Sequence, residues 1–407
     1  MTQGLKGNTL KGHYISRPQA QQEQPLVQER AFWLAWSNVP GTGSILIQRL
    51  RQHFGTLAAA WVAPIAELEA VHGFGVQNTA TIAPARNTID PEKLLQQHEQ
   101  ANPCFWTPAD DDYPQLLLEI PDFPPILYYQ GTVERLENQG VVPAIAIVGT
   151  RSPSDYGKRW TQKLSTHLTQ AGFTIVSGLA AGIDTEAHHA CLKAGGRTIA
   201  VLGTGVDVTY PYSNRSLSQS IANQGLLVSE YAAGTQPDRA NFPRRNRIIA
   251  GLSRATLVIE APQKSGALIT ARLANDYNRD VYALPGSLDN PNSRGSLELL
   301  NQGAQVILGE AELLEALGSI PQLHPATQLS LLSLESPTAA PLTAPDLPPE
   351  LQTVFQVIPA MTEKAIALDY IIEKTGQPTS AVLSALSHLE LMGHVTQMPG
   401  MRYRREG

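Results

Sequence analysis

The sequence predicts an α/β protein: a doubly wound parallel sheet, preceded by a helical domain and followed by a winged helix. Three observations carry this. Six short apolar runs, AIAIVG, FTIVSG, TIAVLG, LLVSEY, TLVIEA and DVYALPG, recur between about Val141 and Leu317 with amphipathic segments between them. Unbroken apolar strands need cover on both faces, and intervening helices supply it. Ahead of them lie two glycine hairpins among apolar residues at helical spacing. Behind them runs a pattern of helices ending in strand, turn and strand.

The bulk numbers agree with several packed domains. At 407 residues the chain exceeds one ordinary core, and 42% hydrophobic content is enough to build more than one. No run of 18 apolar residues occurs, so no membrane span is expected. Residues 1–25 are polar, lack the apolar region of a signal peptide, and are expected to form a disordered tail. Two cysteines, Cys104 and Cys191, make no disulfide framework and have no metal-ligand spacing around them. A reducing cytoplasm is the expected location. The net charge of -6 argues against a chain coated in nucleic acid, while leaving room for a local basic groove.

Taken in order, residues 26–100 are expected to be helical. VPGTGSILIQRL and VHGFGVQNTATI each place a Gly-x-Gly turn before a helix, the form of a SAM-like or helix-hairpin-helix module. Residues 101–140, rich in proline and aromatics, read as a connector, and 141–317 as the parallel-sheet domain. Residues 318–349 are rich in Pro, Ser, Thr and Ala and read as a linker. Residues 350–407 give three helices and a strand-turn-strand wing. QPTSAVLSALSHLELMG has the shape of a recognition helix but carries no Lys or Arg, so a protein-contact role competes with DNA binding there.

In a doubly wound sheet, ligands sit at the carboxyl ends of the strands. After the first run comes GTRSPSDYG, with Gly149, Thr150 and Arg151. After the second comes SGLAAGIDTEAHHA, with Ser177, Gly178 and Gly182 offering backbone N–H groups and Asp184 near the next helix start. Asp184 is expected to cap that helix or to hold an arginine. Of the adjacent His188 and His189, one is expected packed and the other solvated. NFPRRNRIIAGLSR then clusters Arg244, Arg245, Arg247 and Arg254 with no acid among them, around Asn246. EAPQKSGALIT places Lys264, Ser265 and Gly266 at a further helix start. Glycine loops, helix N-termini and basic residues on one edge make a phosphate-binding surface. The dinucleotide fingerprint G-x-G-x-x-G is missing after the first strand, and so is the P-loop G-x-x-x-x-G-K-[ST]. No nucleophile–base pair is forced by the spacing.

These motifs together resemble the DNA processing protein A family (DprA/Smf). The resemblance rests on AIVGTRSPSDYG, the stretch FTIVSGLAAGIDTEAHHACLKAGGRTIAVLGTGVDVTYPYSN, NFPRRNRIIAGLS, SGALITARLA and VYALPGSLDNPNSRGSLELLNQGAQVI, in order across the whole α/β domain. It implies a Rossmann-like domain that binds single-stranded DNA without hydrolysing a nucleotide. It also implies loading of RecA in natural transformation and a homodimer formed through the α/β domain. No cofactor, metal or catalytic residue is implied. Carried over, Arg151, the loop from Ser177 to Asp184, and Arg244, Arg245, Asn246 and Arg247 line the DNA site, with Lys264, Ser265 and Gly266 in the neighbouring loop. Where many relatives have a basic residue this chain has Ala181 and Tyr212; Tyr212 offers an aromatic face for stacking on a base instead. Two other readings compete. One is a Rossmann-like enzyme on a phosphorylated nucleoside, of the phosphoribohydrolase kind, whose PGGxGTxxE signature is missing here. The other is an architectural protein that binds partners through its winged helix.

Overall fold

The computed structural model describes residues 20–102, 104–318, 349–358, 366–391, 394–398 and 402–405. They fall into two compact units, divided between Leu329 and Ser330. Most of the expected tail and nearly all of the expected linker lie outside the described residues. The helix α1 (Ala20–Ser37) already begins within the stretch expected to be tail.

The first unit opens on α1, α2 (Ser44–Phe54), α3 (Leu57–Val62), α4 (Ile65–Glu69), α5 (Val76–Thr88) and α6 (Pro91–Ala101). Both hairpins use a glycine in the left-handed region, Gly41 at φ 86° and Gly73 at φ 92°. Trp36 fills the middle of this bundle, edge-on to Trp61 at 5.1 Å, and its indole N–H donates to the Leu57 carbonyl at 3.2 Å.

The stretch expected as a connector contributes strands, which is a correction. It contains β1 (Phe105–Trp106), α7 (Gln115–Leu118), β2 (Leu127–Gly131) and α8 (Arg135–Asn138). β1 and β2 extend the sheet antiparallel at one edge, with Trp106 stacked on Tyr129 at 4.0 Å. Short strands broken by prolines carry no clear alternation, so composition alone hides them.

The domain proper alternates β3 (Ala144–Val148), α9 (Asp155–Gln170), β4 (Thr174–Ser177), α10 (Ile183–Lys193), β5 (Thr198–Leu202), α11 (Arg215–Gln224), β6 (Leu226–Ser229) and α12 (Asn241–Leu252). It continues with β7 (Ala255–Val258), α13 (Gly266–Asp276), β8 (Asp280–Ala283), α14 (Arg294–Asn301), β9 (Gln305–Val306) and α15 (Glu310–Gly318). All six apolar runs are strands. The sheet order is β1-β2-β6-β5-β4-β3-β7-β8-β9, parallel from β6 to β9. On β3, Ala144, Ala146 and Val148 enter one core while Ile145 and Ile147 enter another. Alternate side chains thus serve both faces, which is why the run has no polar member. The first of these cores is continuous with that of the N-terminal helices, joining Trp33, Trp36 and Ile47 to Ile248 and Ile249.

From β3 the chain winds outward to β6, then returns through α12 to β7 on the other side of β3. That reversal opens a crevice at the carboxyl ends of β3 and β7.

The second unit holds α16 (Pro349–Val357), β10 (Ile366–Ala367), α17 (Leu368–Thr375), α18 (Thr379–Leu391), β11 (Val395–Met398) and β12 (Arg402–Arg405). Three helices and a β11–β12 wing match the expected winged helix, with β10 pairing β12 as an addition. Val354, Ile371, Val382 and Leu389 form its core. The expected Pro-Gly turn lies outside the described residues.

Candidate nucleic-acid interface

The loop after β3 is built around a close approach. A Cβ on Gly149 would sit 2.5 Å from Ile183 Cγ1 and 2.9 Å from the Glu260 carbonyl, so only glycine lets the two loops touch. The N–H of buried Thr150 donates to that carbonyl at 2.7 Å. Arg151 is exposed, its guanidinium 5.9 Å from the Phe242 ring. The N-terminus of α9, by contrast, is closed. Ser154 caps it, and the buried Glu260 carboxylate accepts from the Ser154 N–H at 2.8 Å and its hydroxyl at 2.5 Å. A phosphate has no place there.

The loop after β4 is pinned from inside. Ser177 is buried and donates to the Ile147 carbonyl at 2.6 Å. Leu179 turns through the left-handed region at φ 57° with its side chain fully buried. The Asp184 carboxylate accepts from the N–H groups of Gly178 at 3.1 Å and Ala180 at 3.3 Å, and Asn214 donates to the Leu179 carbonyl at 3.0 Å. Gly182, at φ 87°, lies against the Arg151 backbone. Asp184 therefore holds the loop. Burial raises its pKa, against the opposing charge of Arg245.

The arginine cluster on α12 divides, and this corrects the expectation of three phosphate-facing arginines. Arg244 is exposed, with no hydrogen bond or ion pair among the described residues. Arg245 is 5% exposed and donates through Nη1 to the carbonyls of Gly178, at 2.6 Å, and Val201. Burial lowers its pKa, opposed by Asp184. Arg247 is paired with Glu230 and, at 3.5 Å, with Asp122. Arg254 is buried and donates to the Gly140 carbonyl at 3.2 Å. A signal for Arg245 existed in the sequence: it shares the buried stripe of Ile248, Ile249 and Leu252 at positions i+3, i+4 and i+7. Asn246 is buried as well, bonding the Gly266 carbonyl at 3.2 Å.

In the loop after β7, Lys264 is exposed at φ 63°, Ser265 caps α13, and Gly266 is exposed at its first turn. α13 thus has a side-chain cap as α9 does, but no acidic residue in its first turn. Tyr212 is 73% exposed, with the Arg215 guanidinium 5.8 Å from its ring. His188 is fully buried and His189 exposed, as expected.

These loops enclose a cavity of about 690 Å³ at the switch point. Of the expected residues, Gly149, Thr150, Arg151, Asp184, Arg245, Asn246, Ser265 and Gly266 line it. Gly178 lines an adjoining recess of about 180 Å³ that shares Arg151 and Arg245 with it. Ser177, Gly182, Tyr212 and Lys264 line neither, and Arg244 and Arg247 face a separate cleft. Among the lining residues that escaped the sequence reading are Tyr210, Arg239, Phe242 and Pro243. Tyr210 and Phe242 form a tilted aromatic pair 5.4 Å apart, and Arg239 is exposed beside them.

Residues 104–318 match the family described as DNA recombination-mediator protein A, and residues 338–401 match the DprA winged helix domain. Protein Smf of Synechocystis sp. is 50% identical over 396 residues, 93% of this chain and 99% of that one. Protein Smf of Escherichia coli is 36% identical over 85% of this chain and 91% of its own. The X-ray structure of DNA processing protein A from Streptococcus pneumoniae superposes with a TM-score of 0.61 at 34% identity, covering 71% of this chain and 97% of that one. With the switch-point pocket, the winged helix and full-length similarity to Smf proteins, this chain belongs to the DprA/Smf family.

Proposed function

We propose that the switch-point pocket binds single-stranded DNA without hydrolysing a nucleotide, and that the bound strand is handed to RecA during recombination and natural transformation. The observation that carries this reading is the pairing of exposed cations with a tilted aromatic pair, Tyr210 exposed and Phe242 half-buried, around one open pocket. Arg151 and Arg239 can meet phosphates, while Tyr210 and Phe242 offer surfaces on which unpaired bases stack. A duplex keeps its bases stacked inside and gains nothing from such surfaces. Asp184, the acid of the pocket, is occupied by two backbone N–H groups, which supports a binding role over catalysis. Family membership supports the RecA partnership and a homodimer through the α/β domain.

Fluorescence anisotropy with a labelled single strand, competed by matched duplex and by mononucleotides, tests the reading. The single strand should compete best and mononucleotides poorly. Equal competition by duplex would overturn it, and turnover of a nucleotide would favour an enzyme. RecA ATPase on strands already covered by single-strand-binding protein reads the loading step: addition of this protein should raise it.

A further inference from the structure

A second cleft, of about 620 Å³, opens between the first hairpin and the outer side of α12. Thr42, Gly43, Ser44 and Ile45 form one wall, and Tyr231, Arg244 and Arg247 stand on the other. Pro243 and Ile269 line both this cleft and the switch-point pocket, so the two adjoin. α2, eleven residues long, starts here at Gly43 with no side-chain cap. The Thr42 hydroxyl is turned away, onto the carbonyls of Trp36 and Val39. The Leu46 and Ile47 N–H groups return to the Gly43 carbonyl, leaving those of Ser44 and Ile45 as free helix-start donors.

Two further donors point to a ligand. Arg247 is 9% exposed, and its Nη1 is buried without a hydrogen-bond partner, although Nη2 and Nε meet Glu230 and Asp122. The Tyr231 hydroxyl is also buried without a partner. A buried polar atom left unpaired is unfavourable, and a ligand that reaches it relieves the penalty. The two carboxylates are engaged by Arg247, and Asp122 also accepts from the Tyr277 hydroxyl at 2.9 Å. Asp122 and Glu230 share the one Arg247 guanidinium, and the further positive features of the cleft are Arg244, which has no ion pair among the described residues, and the start of α2.

We propose that this cleft is a second nucleotide site on the path of the same single strand. The phosphate sits on the Ser44 and Ile45 N–H groups and Arg244. The base lies against Ile45, Pro243 and Ile269, with the spare donors of Arg247 and Tyr231 beneath it. The N-terminal helical domain thereby becomes one wall of the DNA groove. This rests on the single-strand reading of the switch-point pocket.

The test uses the full chain and single-stranded oligonucleotides of increasing length. Ser44→Asp places a carboxylate in the first turn of α2, where it favours the helix but repels a phosphate, so lost binding cannot come from lost folding. Ser44→Asp and Arg244→Ala should each weaken long strands by roughly tenfold, as one charge-assisted contact is worth, and leave the shortest strands unaffected. Together they should weaken long strands by less than the product, because both act on one phosphate. Arg151→Ala should weaken strands of every length. Wild-type affinity of Ser44→Asp at all lengths, or an equal loss at all lengths, overturns the second site. Binding that survives Arg151→Ala undiminished overturns the switch-point reading instead.

Discussion

Asp184 and Arg245 hold one residue, Gly178, by its two peptide groups. The carboxylate accepts its N–H at 3.1 Å, and the guanidinium donates to its carbonyl at 2.6 Å. A Cβ on Gly178 would lie 2.5 Å from Arg245 Nη2, so the arginine packs where only glycine leaves room. Two buried, opposite charges therefore shape the loop between them. Their service is to the geometry of the pocket more than to the ligand.

Removing Arg245 should accordingly damage the fold. Arg245→Ala removes a donor from two carbonyls and leaves Asp184 without its cation, at a cost of about 3 kcal/mol. Arg244→Ala, on the exposed side of the same helix, should stay within about 0.5 kcal/mol of the parent. Denaturant unfolding of both variants checks this, and equal stabilities would refute the division of the cluster.

Gly182 gives an independent probe of the loop. At φ 87°, with the Arg151 backbone 2.6 Å from the position of a Cβ, alanine is both strained and crowded. Gly182→Ala should lose about 2 kcal/mol or more and displace Arg151, weakening single-strand binding as well. A variant with unchanged unfolding midpoint and affinity would show that the loops are not locked together.

The domain order, the six central strands and the glycine loops were legible because each follows from a local rule: apolar runs covered on both faces, or turns that need glycine. The edge strands β1 and β2 were not, since two and five residues among prolines give too short a period to read. Arg245 could have been told apart by its place on the apolar stripe of Ile248, Ile249 and Leu252, whereas only the packing of α12 separates the free Arg244 from the engaged Arg247. Phe242 and Tyr210 were missed for a related reason: their pairing spans 32 residues and exists only once α12 folds back over the loop after β5.

His188 predicts a pH dependence of stability. The Thr198 hydroxyl donates to the Ile175 carbonyl and so accepts from His188 Nδ1 at 2.7 Å, leaving a neutral ring with Nε2 unpartnered. Burial lowers its pKa to about 3. Above about pH 6.5 the ring is neutral in both folded and unfolded chains, and its contribution is constant. As pH falls below that, the unfolded chain takes up a proton that the folded chain refuses. Stability then drops by up to about 1.4 kcal/mol per pH unit until about pH 3. His188→Asn keeps a donor for Thr198 and should flatten the decline between pH 6.5 and pH 5. Equal losses for both proteins across that interval would contradict the assignment.

The most direct measurement is the salt dependence of single-strand affinity in a variant lacking three of the exposed cations on this edge: Arg151→Ala, Arg244→Ala and Lys264→Ala. Each phosphate neutralised on a single strand contributes about -0.7 to the slope of log affinity against log salt. All three side chains are exposed, so the variant should fold as the parent does. The slope should flatten by about 2 units, with affinity falling for every sequence alike. A folded triple variant that keeps the parent slope and affinity would contradict the claim that a strand passes over this edge of the sheet.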